Sequence, residues 1–371
     1  MLSSLFRRCS YSDLGAWGGG DLRPALAAFR RSAPLLLDGR VKSGALGLEA
    51  AWLNAAAERA LALAPDAGND EARQFFEAEF RPARVKSSTD EDARSGFMTG
   101  YYEPEVDASR HRTERFRYPL YRQPADLVKV DDVSRPAGLD QSFRFARRRP
   151  DGLLDEYPDR AAIEAGLLQG RGLELAWLAD PVEAFFIHIQ GSARLILDDG
   201  GVMRVSYAAK TGHPFTAIGR ILVDEGELTL AEADMAGIRR WLGDHPQRVR
   251  NLLNRNRSFI FFREAPVEDV TLGPVGAAKT PLTPFASIAV DRELHTFGLP
   301  FFIAAPELRV EGEAFARLMI AQDTGSAIVG PARADLFCGS GAAAGAIAGR
   351  IRHPADVFAL VPAAQAQEVH P

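Results

Sequence analysis

The sequence predicts a mixed, mainly β fold that opens with helices and closes with a small barrel. Three stretches carry that reading. Residues 24–80 hold Ala- and Phe-rich segments with helix punctuation. Residues 185–207 hold apolar and aromatic runs around an Asp-Gly turn, a hairpin signature. From Gly273 onward, short apolar runs recur between Gly and Pro residues, a spacing that suits a small closed barrel better than a sandwich. At 371 residues, 46% hydrophobic and 25% charged, the chain can bury the cores of two domains.

Taken in order, the first helix is expected from Pro24, with Pro in its first turn and Asp21 as its cap. The second covers residues 46–64, carries Trp52, Leu53, Leu61 and Leu63, and is closed by Pro65. Asp70 is expected to cap a third, with Phe75, Phe76 and Phe80 on one face. The texture then changes at Gly96-Phe97-Met98-Thr99-Gly100-Tyr101-Tyr102-Glu103-Pro104, a strand ending in two aromatics and a carboxylate. On that motif alone, half-buried strand tyrosines are the expected reading.

Residues 105–150 are rich in Arg, Pro and Asp, which predicts loops and short strands. A short helix is expected over 160–165, and the run Leu175-Ala176-Trp177-Leu178 is expected to stop at Asp180-Pro181. Residues 185–192 read as a strand, followed by Arg194-Leu195-Ile196-Leu197, a turn at Asp198-Asp199-Gly200-Gly201 and a returning strand over 202–207. Alternation puts Met203, Val205 and Tyr207 on a buried face and Val202, Arg204 and Ser206 on a wet one.

His188, alone in an aromatic run, is read as a hydrogen-bonded structural residue. Gln190, Gly191 and Ser192 offer an amide and a hydroxyl beside a Gly, which suits hydrogen bonding to sugar hydroxyl or acetamido groups without ionic cost. Met235, Ile238, Trp241 and Leu242 recur at helical spacing, a second short helix follows Pro246, and 259–262 returns to strand. Strands are then expected over 286–290, 300–304, 317–322, 336–337 and 358–361. A helix is expected over 342–351, and a mobile tail after Pro362.

Chemistry is expected between Arg317 and Gly341. There an apolar run delivers Asp323 into the turn Asp323-Thr324-Gly325-Ser326, and Asp335 follows twelve residues later beside Leu336-Phe337. A barrel or tight sheet can bring two such carboxylates together. Asp323 by itself reads equally well as a turn carboxylate capping Gly325 or Ser326.

Other classes are excluded by what the sequence lacks. A net charge of −5 without a Lys/Arg stripe gives no nucleic-acid footprint. Cys9 and Cys338 make no disulfide framework and no zinc spacing, so no metal is expected. No apolar run nears the roughly 18 residues of a membrane span, and the apolar stretch at the N-terminus is too short for a signal-peptide core. No nucleophile elbow, phosphate loop or dinucleotide fingerprint is visible.

Four motifs in order are specific together: residues 97–104, Phe186-Ile187-His188-Ile189-Gln190-Gly191-Ser192, Asn256-Arg257-Ser258-Phe259-Ile260-Phe261-Phe262, and Gln322-Asp323-Thr324-Gly325 through Asp335-Leu336-Phe337. They resemble the MltA family of membrane-bound lytic murein transglycosylases with a C-terminal 3D domain, over about residues 11–361. The resemblance implies a double-psi β-barrel built from residues 1–104 and 265–371, interrupted by a β-rich insert at 105–264, with a glycan groove between them.

It further implies non-hydrolytic cleavage of peptidoglycan between N-acetylmuramic acid and N-acetylglucosamine, leaving a 1,6-anhydro end. Asp335 matches the proton-transferring aspartate, with Asp323 nearby. Thr99, Tyr101, Tyr102, Gln190, Gly191 and Ser192 become candidates for binding substrate. To act as an acid near neutral pH, Asp335 must have a raised pKa, from an apolar wall or from Asp323. No cofactor is implied. The partners are peptidoglycan glycan strands, with other cell-wall enzymes as further candidates, and the chain is expected to be a monomer.

Residence in the periplasm or cell envelope follows from the substrate, and association with the outer membrane is what the family resemblance alone implies. Cys9 lacks the apolar segment of a lipid-anchor signal. The alternatives are a non-catalytic glycan-binding module and a hydrolase using Asp323 and Asp335 as a pair.

Overall fold

The computed structural model describes residues 2–88, 96–310 and 312–370. The chain divides into two compact units, Met1–Tyr102 with Asp269–Pro371, and Glu103–Glu268. In chain order the first unit begins with β1 (Phe6–Arg8), α1 (Arg23–Leu37), α2 (Asn54–Ala62), α3 (Asn69–Glu79), β2 (Phe80–Val85) and β3 (Gly96–Glu103).

Pro24 lies in the first turn of α1, where its missing N–H costs nothing, and Asp21 Oδ1 accepts from the Arg23 N–H beside it. The buried positions Ala25, Leu26, Ala28, Phe29, Ser32, Ala33 and Leu36 follow helical spacing. Phe29 packs on Phe75 and Phe76 of α3 and on Phe80 of β2, with centroids 5.8 to 6.3 Å apart. The third helix starts two residues earlier than expected. Gly68 is its cap, and Asp70 lies inside the first turn, where a negative charge favours the helix dipole.

The second unit holds β4 (Glu105–Ser109), β5 (Tyr118–Tyr121), β6 (Leu127–Lys129), β7 (Phe145–Arg148), β8 (Leu154–Asp155), the single turn α4 (Arg160–Ala162) and β9 (Glu174–Leu178). It continues with α5 (Pro181–Gln190), β10 (Ser192–Leu197), β11 (Val202–Lys210), α6 (Ile218–Asp224), α7 (Met235–Asp244), α8 (Val249–Asn254) and β12 (Ile260–Ala265). Its main sheet runs β12-β11-β10-β4-β9-β5, and β6-β7-β8 form a smaller one.

Two expectations fail in this unit. The run at 185–192 is not a strand: residues 181–190 are helix α5. Asp180, expected as a stop, accepts from the Val182 N–H and caps the helix, Pro181 opens it, and Gly191 ends it at φ 78. The helix reads as strand because it is apolar on both sides. Ile187 faces the sheet core with Leu195 and Val205, while Phe185 and Phe186 face the core of α6, α7 and α8.

The second failure is the wet face of β11. Arg204 and Ser206 are buried along with Met203 and Val205, so both faces of this stretch are covered, and Tyr207 is exposed where the register with β12 begins to shift. Arg204 is buried by pairing with the fully buried Glu103.

The chain then returns to the first unit with β13 (Ser287–Val290), β14 (Pro300–Val310), β15 (Glu313–Asp323), β16 (Arg333–Ser340), α9 (Gly341–Ala348) and β17 (Arg352–Pro362). Strand order β17-β14-β15-β13-β16-β3 closes on itself through a β3–β17 pairing, so the small closed barrel that was expected has six strands. The β13–β15 pair is parallel, whereas β13–β16, β14–β15 and β14–β17 are antiparallel.

The tail is not the mobile segment expected. Residues 363–368 form a turn of 3-10 helix, Val369 is buried, and Arg8 donates its backbone N–H to the His370 carbonyl at 2.8 Å. Among the described residues, no helix is long and apolar enough to cross a membrane.

Candidate active site

The two carboxylates meet across the short strand β13. In the barrel, Ala289 pairs with Asp323 of β15 on one side and with Asp335 of β16 on the other. Residues in cross-strand register point to the same face, so both carboxylates stand on one surface with a methyl group between them.

A β-bulge makes this possible. Ile288 pairs with Ala321 but Ala289 pairs with Asp323, so Gln322 is the extra residue. Gln322 is wholly buried: its Nε2 donates to the Ala28 carbonyl and the Ser32 hydroxyl, and its Oε1 accepts from Ser287 Oγ. The bulged side chain is anchored inward against α1, and Asp323 is turned to the site. A loop packs on the bulge through Ala278, whose N–H donates to the Gln322 carbonyl. Gly276 is needed there, since a Cβ would lie 2.6 Å from that carbonyl oxygen.

Asp335 is half-buried and its pKa is pushed up to about 6. Burial is the main cause. A hydrogen bond from Thr99 and the Arg333 cation pull the other way, and the Asp323 charge adds to the rise. Thr99 Oγ1 donates to Asp335 Oδ1 at 2.5 Å, and Arg333 Nη2 donates to Thr99 Oγ1 at 2.7 Å.

Asp323 also has a pKa raised by burial, opposed by the Ala277 N–H, the Tyr101 hydroxyl and the Lys279 charge. Tyr101 donates to Oδ2 at 2.8 Å and the Ala277 N–H to Oδ1 at 2.9 Å. Burial and the nearby Asp323 keep the Tyr101 hydroxyl protonated far above its usual range. The Tyr101 ring leans on Phe337 with centroids 5.4 Å apart, and Phe337 is fully buried beside the acid.

The structure thus brings together Asp335, Asp323, Thr99 and Tyr101. Tyr102 points away: its ring is buried against Gly345 of α9. Gln190, Gly191 and Ser192 belong to the other unit. Gln190 and Gly191 form the end of α5, while Ser192 is buried at the head of β10 opposite Ser206. His188 is buried in α5, where Nδ1 accepts from the Ile260 N–H at 3.3 Å. Burial and the neighbouring Arg160 hold its pKa well below normal, so it is a neutral structural ring.

Arg333 was not singled out from sequence, where it reads as one more charged residue in a Pro- and Gly-containing loop. Its signal was its spacing, two residues before an in-strand Asp and so on the same face. Among the described residues, no group of three His, Cys, Asp or Glu side chains is placed to hold a metal ion. Chemically, the site offers one carboxylic acid able to carry a proton near neutral pH, and a second carboxylate whose two oxygens are both engaged by the fold.

Two family descriptions match the chain: the MltA specific insert domain over residues 97–263 and the 3D domain over residues 286–361. The membrane-bound lytic murein transglycosylase A of Escherichia coli (strain K12) is 33% identical over 272 residues, 71% of this chain and 65% of that protein. The match thus spans slightly less than two thirds of the relative's length.

Among solved structures, the membrane-bound lytic murein transglycosylase from Agrobacterium tumefaciens is 46% identical with a TM-score of 0.91, covering 98% of this chain and 99% of that one. E. coli MltA with bound chitohexaose is 27% identical with a TM-score of 0.66, covering 96% of this chain and 90% of that one.

Proposed function

The chain belongs to the MltA family, and from that membership we propose that it is a lytic murein transglycosylase. It cleaves the β-1,4 bond between N-acetylmuramic acid and N-acetylglucosamine in peptidoglycan and leaves a 1,6-anhydro-muramyl end. The observation that carries the reading is Asp335, a half-buried carboxyl raised to about 6 in a site with one free acid.

Asp335 gives its proton to the glycosidic oxygen as the bond to C1 breaks and positive charge develops on the sugar. The carboxylate left behind then takes the proton of the same sugar's 6-hydroxyl while that oxygen bonds to C1. One residue is acid and then base, and no water enters.

The two-carboxylate hydrolase is the weaker reading. A retaining nucleophile needs a carboxylate oxygen free to bond to C1. An inverting base needs a carboxylate free to hold water, whereas Tyr101 and Ala277 engage both oxygens of Asp323. We assign Asp323 to holding the acid's pKa up and Thr99 to supporting the acid. Gln190 and Gly191 are assigned to hydrogen bonding sugar groups through the amide and backbone groups they offer, and the chitohexaose bound by the E. coli relative supports a glycan as the ligand. The substrate places the protein in the cell envelope.

The test is mass spectrometry of muropeptides released from purified peptidoglycan, with an Asp335→Asn control. Products lighter by one water than the hydrolytic species, absent from the control, support the reading. Reducing-end products would make the protein a hydrolase, and glycan binding with no products would make it a binding module.

A further inference from the structure

Arg333 sits two residues before the acid yet does not touch it. Its Nη2 donates to Thr99 Oγ1 at 2.7 Å, and that hydroxyl donates its only proton to Asp335 Oδ1 at 2.5 Å. The guanidinium is fixed on its other side. Nη1 donates to the Ala334 carbonyl and, at 3.4 Å, to the Phe97 carbonyl, and the cation stacks over the Phe97 ring at 5.4 Å. Among the described residues, Arg333 makes no ion pair with a carboxylate; its partners are two carbonyls, a ring and a hydroxyl.

We propose that Arg333 is a positioning residue that acts through Thr99, committing the threonine proton to Oδ1 and so leaving the acid proton on Oδ2. The same chain of donors receives the negative charge once Oδ2 has given that proton away.

The indirect contact decides the chemistry. A guanidinium bonded directly to Asp335 would hold it as the carboxylate, since an opposite charge at contact lowers an acid's pKa by about 1–3 units. One hydroxyl in between keeps the cation close enough to favour the anion formed during the reaction, yet leaves burial the larger effect beforehand. Arginine suits this place because its planar fork can serve Thr99 and the two carbonyls at once, which an ammonium cannot do in the same geometry.

The groups facing Asp335 are Thr99 and Tyr101 from β3, Asp323 from β15, and Arg333 and Cys338 from its own strand. Among the described residues, Arg333 is the one cation of this group. Cys338 remains a neutral thiol, since burial and Asp335 push its pKa up.

The inference rests on the proposed transglycosylase reading, but its test does not need turnover. The Asp335 carboxyl would be titrated by carbon-13 NMR in the wild-type protein and in Arg333→Met, Arg333→Lys, Thr99→Val and the Thr99→Val/Arg333→Met double variant. Arg333→Met should raise the midpoint by about one unit, and Arg333→Lys by less. In the Thr99→Val background the Arg333→Met shift should fall to less than half, because the intermediary is gone.

An equal shift in both backgrounds would mean that the cation acts directly and would overturn the proposal, as would an unmoved midpoint in both Arg333 variants. If Arg333→Met does not fold, the Arg333→Lys comparison in the two backgrounds decides. Failure of wild-type protein to release anhydro products would count against the transglycosylase reading and leave this titration intact.

Discussion

Asp323 and Asp335 are both cross-strand partners of Ala289, one from β15 and one from β16, so a single methyl group separates the two carboxylates of the barrel site. Their environments differ more than their positions do. Asp335 accepts from one side-chain hydroxyl, whereas Asp323 accepts from the Tyr101 hydroxyl and the Ala277 N–H. That asymmetry separates the acid from its neighbour and sets the pH behaviour expected of each.

Asp335 must be protonated to act, and with a pKa of about 6 it is increasingly ionised above that value. Turnover should therefore fall by about tenfold per pH unit between pH 7 and 8.5, measured as kcat/KM on peptidoglycan. The raised pKa also affects stability. The folded protein holds this proton up to about pH 6, the unfolded chain only to near 3.8, so this stabilisation is lost as pH rises through that window. Asp335→Asn should be more stable than wild type at pH 7.5, by about 1–2 kcal/mol after allowing for solvent reach, and no more stable near pH 4. Urea unfolding at the two pH values checks this, and equal differences at both would mean the carboxyl is not perturbed.

Asp323 raises the pKa of Asp335 through its charge. Asp323→Asn should lower the acid's midpoint and cut activity at pH 7 by up to about tenfold, with the loss partly recovered at pH 5. Tyr101→Phe removes one hydrogen bond from the same carboxylate and should cost less, about fivefold. Equal losses at pH 5 and pH 7 in Asp323→Asn would point to a direct chemical role instead.

The barrel and its two aspartates were legible because short apolar runs recur between Gly and Pro residues, even though β14, β15 and β17 extend beyond those runs to 11 residues each, and because Asp323 and Asp335 border such runs. The bulge was not. Nothing in Ala321-Gln322-Asp323 says which residue is unpaired until Ala28 and Ser32, almost 300 residues earlier, hold Gln322. Helix α5 was hidden because cores on both sides erase the amphipathic period, and only Asp180, Pro181 and Gly191 retained the signal. The burial of Arg204 depends on Glu103, a partner 101 residues away that alternation within one strand cannot reveal.

The bulge itself can be tested. Gln322→Leu keeps the volume but strands the Ser32 and Ser287 hydroxyls and the Ala28 carbonyl, all in buried surroundings. The barrel should lose about 2–4 kcal/mol, and the bulge should lose its anchor. The Asp323 carboxyl signal should then shift in carbon-13 NMR spectra taken where the variant is still folded. A destabilised variant with an unmoved Asp323 signal would show that the loop at 276–278, and not Gln322, sets the carboxylate's direction.

The last prediction concerns the start of the insert. Glu103 is fully buried and takes Arg204 on both oxygens, Nε at 2.7 Å and Nη2 at 3.0 Å, with Arg194 Nε 3.2 Å from Oε2. Arg194 also pairs with Glu105 at 3.1 Å, so the Glu103 charge matters most to Arg204, which grips both of its oxygens in buried surroundings. Glu103→Gln should cost about 3–5 kcal/mol, whereas the double change Glu103→Gln/Arg204→Met should recover part of that loss by removing the buried cation that this carboxylate faces on both oxygens. Thermal unfolding and limited proteolysis within residues 103–268 measure both. A double variant no better than the single would mean that Arg194 alone carries the penalty, and a harmless Glu103→Gln would mean the network tolerates a neutral amide.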